Sequence, residues 1–251
     1  MNTGISRHIP NFLTSLNLFS GCMALVFVFK GNIPVFSSFV AACLVLDFLD
    51  GFAARLLNAN SPIGKDLDSL ADMVAFGVVP GAILYHLFMI SPPLSLTESW
   101  WTGFIVYFPF IVTVFSGLRL AKFNNDTRQS TSFLGLPTPA VTIFVTGLAL
   151  IIQYDRFHLT PLLLNSFLIA GIAMILSFLL VSEIPLFAMK FRSFGWAQNR
   201  TQYILAIISV VVVLTLQFAG IPLLIIFYLI LSFINNKFRL NRETPVLNAS
   251  K

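Results

Sequence analysis

The chain has 251 residues, of which 57% are hydrophobic and only 10% charged, with a mean hydropathy of +0.88 and a net charge of +5. So little charge cannot cover a water-exposed surface, which excludes an ordinary soluble domain and leaves a polytopic membrane protein. The positive balance fits an anionic lipid surface; with 27 phenylalanines spread along apolar runs and no soluble basic face, it excludes nucleic acid as a partner.

Apolar runs long enough to cross a hydrocarbon core of about 30 Å predict eight helical spans, near residues 12–29, 34–57, 66–90, 100–121, 138–153, 162–182, 203–219 and 221–235. The fifth and eighth are short and interrupted by Gly or flanked by Pro, so six spans with a re-entrant end is the alternative. The first run, NFLTSLNLFSGCMALVFVFK, carries polar residues throughout and lacks a small-residue cleavage site, and is read as a span rather than a signal peptide. Cys22 and Cys43 fall inside spans, where thiols behave as small hydrophobes, so neither a disulfide framework nor a cysteine metal cluster is expected. Trp100 and Trp101 read as an outer-interface anchor, and His8, His86 and His158 as structural or interfacial.

Eight spans place thirteen of the fifteen Lys and Arg residues on one side and only Lys30 and Arg156 on the other. The positive-inside rule then puts both termini, and the loop after the second span, in the cytoplasm of an inner (cell) membrane protein. Of the polar segments, NNDTRQSTSFLGLP is a candidate functional loop; KFRSFGWAQNR and the tail NNKFRLNRETPVLNASK read as connectors and topology anchors. The expected organisation is a membrane core over 1–182, a cytoplasmic connector over 183–202, a membrane hairpin over 203–236 and a cytoplasmic tail over 237–251.

Against this apolar background, DFLDGFAARLLNANSPIGKDLDSLAD at residues 47–72 carries five aspartates. Asp47 and Asp50 lie three apart near the cytoplasmic end of the second span, and Asp68 and Asp72 four apart near the start of the third; both spacings put the pair on one helix face. Two antiparallel helices joined by a short loop can aim four carboxylates into one cleft. Ionisable groups in spans are costly unless paired or functional, and divalent cations are the economical compensation here. Oxygen ligands without His or Cys favour two Mg²⁺ or Mn²⁺ ions, an arrangement suited to phosphoryl transfer. The small residues Gly51 and Ala54 leave room for a ligand or a neighbouring helix. Asp66 falls off the shared face and suits a helix start. Taken singly, an intramembrane Asp also serves ion pathways or helix pairing, so a divalent-cation transporter is the non-enzymatic alternative.

The whole string reads Asp47-x2-Asp50-Gly51-x2-Ala54-Arg55-x8-Gly64-x3-Asp68-x3-Asp72. It resembles, at every position and gap, the signature of the CDP-alcohol phosphotransferase family. Around it, PNFLTSLNLFSG resembles the family's first span, and DSLADMVAFGVVP, SGLRLAKFN and FLGLPTPA resemble its integral-membrane phosphatidylserine synthase branch, over roughly residues 8–182. Val141 and Thr142 stand where related sequences often carry small alanines, a mild departure.

The resemblance implies an all-α polytopic bundle, a six-span family core with a C-terminal two-span hairpin, working as a homodimer. It implies attack of an alcohol, L-serine, on the β-phosphorus of CDP-diacylglycerol with release of CMP; a sibling acceptor such as glycerol 3-phosphate or inositol phosphate is the alternative. By the family pattern Asp47, Asp50, Asp68 and Asp72 surround two metals, Asp72 doubles as general base, and Gly51, Ala54 and Gly64 let the CDP group approach the backbone. Arg55 either faces a phosphate or caps its own helix. Asn11, Thr14 and Asn17 recur at helical spacing and either turn toward the nucleotide or hydrogen-bond between helices. Arg119 and Lys122 either bind the serine carboxylate or a lipid phosphate, or simply snorkel to the interface; the planar fork of Arg119 makes it the better carboxylate ligand.

Overall fold

A computed structural model describes residues 8–59, 61–92, 102–125, 133–186, 208–209, 211–212 and 214–243. The chain is an all-helical membrane bundle, and the strand pairing among the described residues is a two-residue antiparallel ladder, Phe133 and Leu134 against Leu186 and Pro185. Among the described residues, four helices are long and apolar enough to cross a membrane: Ile9–Phe29, Ile33–Leu56, Pro62–Ile90 and Leu214–Phe233. Thr138–Tyr154 and Ser166–Val181 are shorter apolar helices.

Helix α1 (Ile9–Phe29) starts with Pro10 in its first turn, where the missing N–H costs nothing. Its inward stripe is small and polar: Thr14, Asn17, Ser20, Gly21 and Ala24. A Cβ on Gly21 would stand 3.2 Å from the Cα of Ala75, so this stripe is what lets the third span approach closely. Gly31, at φ +67°, turns the chain, and the Asn32 side chain accepts from the N–H of Val35 to open α2 (Ile33–Leu56). Just beyond α2, Asn58 takes the left-handed conformation at φ 48°, while Ala59 N–H closes back on the Ala54 carbonyl. After this tight turn Ser61 caps α3 (Pro62–Asp72), its Oγ accepting from Gly64 N–H at 3.0 Å. The two acidic helix ends are therefore joined by a short, doubly capped hairpin.

Helix α3 continues through a single π turn, Met73–Val78, into α4 (Val79–Ile90). Every residue from Val79 to Leu84 is buried, marking α4 as the central post of the bundle. The expected fourth span at 100–121 is interrupted: Thr102–Ile105 forms one turn, Phe108–Phe110 a 3₁₀ turn around Pro109, and a regular helix, α6 (Ile111–Asn125), begins only beyond it; the single turn is α5. Proline lacks the N–H that a continuous helix needs at that point. Helix α7 (Thr138–Tyr154) matches the fifth span and ends at Asp155 in the left-handed region. The sixth span begins later than residue 162, because Thr160–Leu163 (α8) is a separate turn and Asn165 caps α9 (Ser166–Val181) through the N–H groups of Phe167 and Leu168. The first part of the seventh span, residues 203–207, lies outside the described residues, as do 210 and 213. The last helix, α10 (Gly220–Glu243), continues past the expected end at 235.

The segment entering α7 is tied to the end of α9. Gly135 N–H donates to the Ile184 carbonyl just beyond the helix, and Leu136 N–H to that of Leu179, one of the carbonyls the helix end leaves unpaired. Gly135 adopts φ +74°, and a Cβ there would lie 2.7 Å from the Leu180 carbonyl oxygen. Gly135→Ala should therefore destabilise the solubilised protein by at least about 1–2 kcal/mol. Thermal melting of detergent-extracted protein measures this, and an unchanged midpoint would show that the loop relaxes freely.

Candidate active site

Helices α2 and α3 both pack on α1, and this shared support brings the four carboxylates of the motif to one place. Asp47, Asp50 and Asp68 each offer an oxygen within 4.8 Å of the others. Asp72, one turn deeper along α3, is within hydrogen-bond reach of Asp47. Asp66 is exposed and stands outside the group. Two oxygens in the cluster, Asp50 Oδ2 and Asp72 Oδ1, are buried without a hydrogen-bond partner. An orphaned anionic oxygen in a half-buried site is costly, and a hard cation would satisfy both. The donor set is carboxylate oxygen, so the residues fit Mg²⁺ or Mn²⁺ rather than zinc.

A cleft of about 540 Å³ opens beside the cluster, between the start of α1, the end of α2 and the start of α3. Its walls include Asn11 and Thr14 from α1, Asp50, Gly51 and Ala54 from α2, and Ser61, Gly64, Lys65 and Asp68 from α3 and its cap. Asp50 and Asp68 thus face the cleft, while Asp47 and Asp72 lie behind them. Gly51 has open space where a side chain would be, and Gly64 has none: a Cβ there would meet the Asn11 and Ser61 side chains at 2.8 and 2.9 Å. The two glycines therefore differ in kind. Gly51 keeps the cleft open, and Gly64 allows α3 to seat against α1.

The remaining candidates distribute around this centre. Thr14 is buried, donates to the Pro10 carbonyl at 3.0 Å and lies against Asp50. Asn17, one turn on, is fully buried with neither amide atom paired, and does not line the cleft. The Arg55 Nε donates to the Gly51 carbonyl at 3.0 Å, folding the guanidinium along its own last turn, where a cation complements the helix dipole. Arg119 of α6 is only 8% exposed, sits near enough to Asp72 to feel its charge, and is not among the residues that line the cleft. Its Nε is unpaired. Lys122, one turn further, forms an exposed ion pair with Glu183 at 2.9 Å, tying α6 to the end of α9. Asn124 Nδ2 donates to Ser69 Oγ at 2.9 Å and ties α6 to α3, whereas residues 126–132, which include Ser130, Thr131 and Ser132, lie outside the described residues.

Lys65 lines the cleft without having been singled out by the sequence, where it counted only as a cytoplasmic charge. The available signal was its position three residues before Asp68, on the face that carries the acids.

A bundle whose acidic hairpin opens onto a cleft of this size invites comparison with known proteins. Residues 7–182 match the CDP-alcohol phosphatidyltransferase family. The chain belongs to that family. Among its relatives, the CDP-diacylglycerol–serine O-phosphatidyltransferase of Mycobacterium bovis is 32% identical over 210 residues, covering 80% of this chain and 68% of the relative. The enzyme of the same name from Helicobacter pylori strain J99 is 32% identical over 210 residues, covering 83% of each chain. That of Bacillus subtilis is 33% identical over 158 residues, covering 63% of this chain and 80% of its own. Family membership makes this chain a membrane phosphotransferase and sets the cation-transporter alternative aside.

Proposed function

We propose that this family member is a CDP-diacylglycerol:L-serine phosphatidyltransferase, making phosphatidylserine and CMP. The observation that carries the reading is the convergence of Asp47, Asp50, Asp68 and Asp72 beside a cleft, in a chain about one-third identical to relatives named for that reaction. Two Mg²⁺ or Mn²⁺ ions held by the four carboxylates would offset charge on the phosphate oxygens. The cleft volume falls in the range of small-ligand sites, and its Asn11, Thr14 and Lys65 offer an amide, a hydroxyl and a cation for the CDP group beside the open backbone at Gly51.

In the reaction the serine hydroxyl oxygen forms a bond to the β-phosphorus of CDP-diacylglycerol, and the bond from that phosphorus to the bridging oxygen breaks, so that CMP leaves. Asp72 takes the hydroxyl proton. Its place behind Asp50 and Asp68 and beside buried Arg119 suits a base that acts on the acceptor rather than on the nucleotide. Arg119 binds the serine carboxylate, since its fork can offer paired donors. The ion pair of Lys122 with Glu183 leaves Lys122 the weaker candidate for that task.

Purified protein should release CMP with L-serine and far less with glycerol 3-phosphate or inositol phosphate; equal rates with those acceptors would overturn the serine assignment. Arg119→Ala should raise the serine KM while CDP-diacylglycerol still binds. Loss of a charge-assisted hydrogen bond of about 1.5–3 kcal/mol corresponds to roughly 10- to 150-fold weaker use of serine. An unchanged KM would remove Arg119 from the pocket.

The site belongs on the cytoplasmic face of the inner membrane, where the nucleotide is found. With Cys22 and Cys43 replaced, a cysteine introduced at Ser61 should be protected from an impermeant external thiol reagent in intact cells, and one at Asp155 labelled. The opposite pattern overturns the orientation. A homodimer, implied by the family resemblance, completes the proposal, and the mass of the detergent-solubilised protein tests it.

A further inference from the structure

The third span carries a defect directly behind the acidic cluster. Over Met73–Val78 the helix widens to the π register, in which Val79 N–H reaches back five residues to the Val74 carbonyl. Pro80 accounts for the widening. In an α-helix its ring would press on the Phe76 carbonyl, and it has no N–H to offer that oxygen. Membrane helices tolerate such defects when neighbouring side chains supply the missing donors.

Two neighbours do so here. Thr142 of α7, fully buried, directs its hydroxyl at the Phe76 carbonyl at 3.3 Å and at its own Thr138 carbonyl at 3.1 Å. Thr113 of α6, half-buried, donates to the Gly77 carbonyl at 3.0 Å. The fit is close as well as polar, because a Cβ on Gly77 would lie 3.1 Å from Met73 Sδ and 3.2 Å from Ser116 Cβ. The π turn is thus held between two other helices by hydroxyl donors on its exposed carbonyls.

Its geometric consequence falls on the acids. Closing the turn to α register would rotate α3 by about 100° relative to α4, the angle of one residue on a helix. Helix α4 is buried along almost its whole length and cannot turn. Helix α3 would have to, carrying Asp68 and Asp72 away from Asp47 and Asp50. We infer that Thr113 and Thr142 are positioning residues, which hold the π turn that aims Asp68 and Asp72 at the carboxylates of α2. This rests on the proposed role of those two aspartates in metal binding and catalysis.

Three variants test it: Thr113→Val with Thr142→Val, the same pair changed to Ser, and Pro80→Ala, which restores the N–H and removes the ring. The Val pair and Pro80→Ala should lower kcat by about 10- to 100-fold, the usual effect of a small displacement of reacting groups. Mn²⁺ binding, followed by the EPR signal of the free ion, should weaken in the same variants. The KM for CDP-diacylglycerol should rise with the loss of metal affinity, because Asp68 lines the cleft, and the melting temperature of Pro80→Ala should not fall. The Ser pair, which keeps both hydroxyls, should retain activity and metal affinity. Wild-type kcat and Mn²⁺ affinity in Pro80→Ala or in the Val pair overturns the inference, and so does an equal loss in the Ser pair. If the Val pair fails to fold, Thr113→Val alone carries the same comparison, because its site is less enclosed. Asp72→Asn measured alongside separates two failures. Full activity in Asp72→Asn sinks the role assigned to the aspartate, whereas an inactive Asp72→Asn with wild-type behaviour in the others sinks the positioning role alone.

Discussion

Asp72→Asn should lower kcat by about 10²- to 10⁴-fold, the contribution usual for a positioned general base, with much smaller change in the KM for either substrate. The amide keeps the size and shape of the carboxyl and removes its basicity. Asp72 lies behind the residues that open onto the cleft, so the change should leave nucleotide binding largely intact. Its Oδ1 is buried without a partner, and its other contact is with Asp47, so the substitution removes one of several crowded anions and should not unfold the helix pair. Single-turnover release of CMP from preformed enzyme–CDP-diacylglycerol complex is the measurement that isolates the step. A variant that turns over at the wild-type rate removes Asp72 from the chemistry and leaves the serine proton to another acceptor.

Chelation should have an effect at least as large. With EDTA in excess, CMP release should fall to background and return on adding Mg²⁺ or Mn²⁺, because four carboxylates close together repel one another and any bound phosphate unless cations stand between them. Asp50→Asn and Asp68→Asn should each shift the metal concentration for half-maximal activity upward. These two face the cleft directly, and each removes a ligand oxygen from the group that lies within 4.8 Å. Calorimetric titration of the metal into the solubilised protein gives the affinity independently of turnover. Full activity of either variant in the presence of chelator would falsify the two-ion site while leaving the family assignment in place.

The two predictions differ in how they distribute over the cleft. Asp50 and Asp68 stand with Thr14, Gly51 and Lys65 at the wall, where nucleotide and metal would meet. Asp72 and Arg119 do not line the cleft, and the proposed reading gives them the acceptor rather than the nucleotide. Substitutions in the first group should therefore trade metal and CDP-diacylglycerol affinity, and those in the second should trade serine use and kcat.

Much of this was legible from residue order alone, for reasons that lie in local physics. The length and hydropathy of the runs at 12–29, 34–57 and 66–90 prescribe spanning helices, because a bilayer core leaves a backbone few other ways to satisfy its polar groups. The spacing of Asp47 with Asp50 and of Asp68 with Asp72 prescribes a shared face within each helix, since that depends only on helical period. The short loop between the two helices makes the two faces neighbours. Family membership was carried by the same string, and serine as the acceptor was suggested by the segments around it.

Tertiary structure decided the rest. Pro109 splits the fourth span and Thr160–Leu163 delays the sixth, effects that hydropathy averages away because the flanking residues remain apolar. Which acids face the cleft and which lie behind depends on how α3 rotates against α2, and that rotation is set by a π turn no periodicity reveals. Pro80 was visible in the sequence, but whether it would kink, break or widen the helix depended on the donors brought to it by α6 and α7. Arg55 and Lys122 could equally have reached a ligand on sequence grounds; in the folded chain the first turns back on the Gly51 carbonyl and the second pairs with Glu183, a residue far along the chain. Local spacing determines what one helix can present, and only the packing of several helices determines what that face meets.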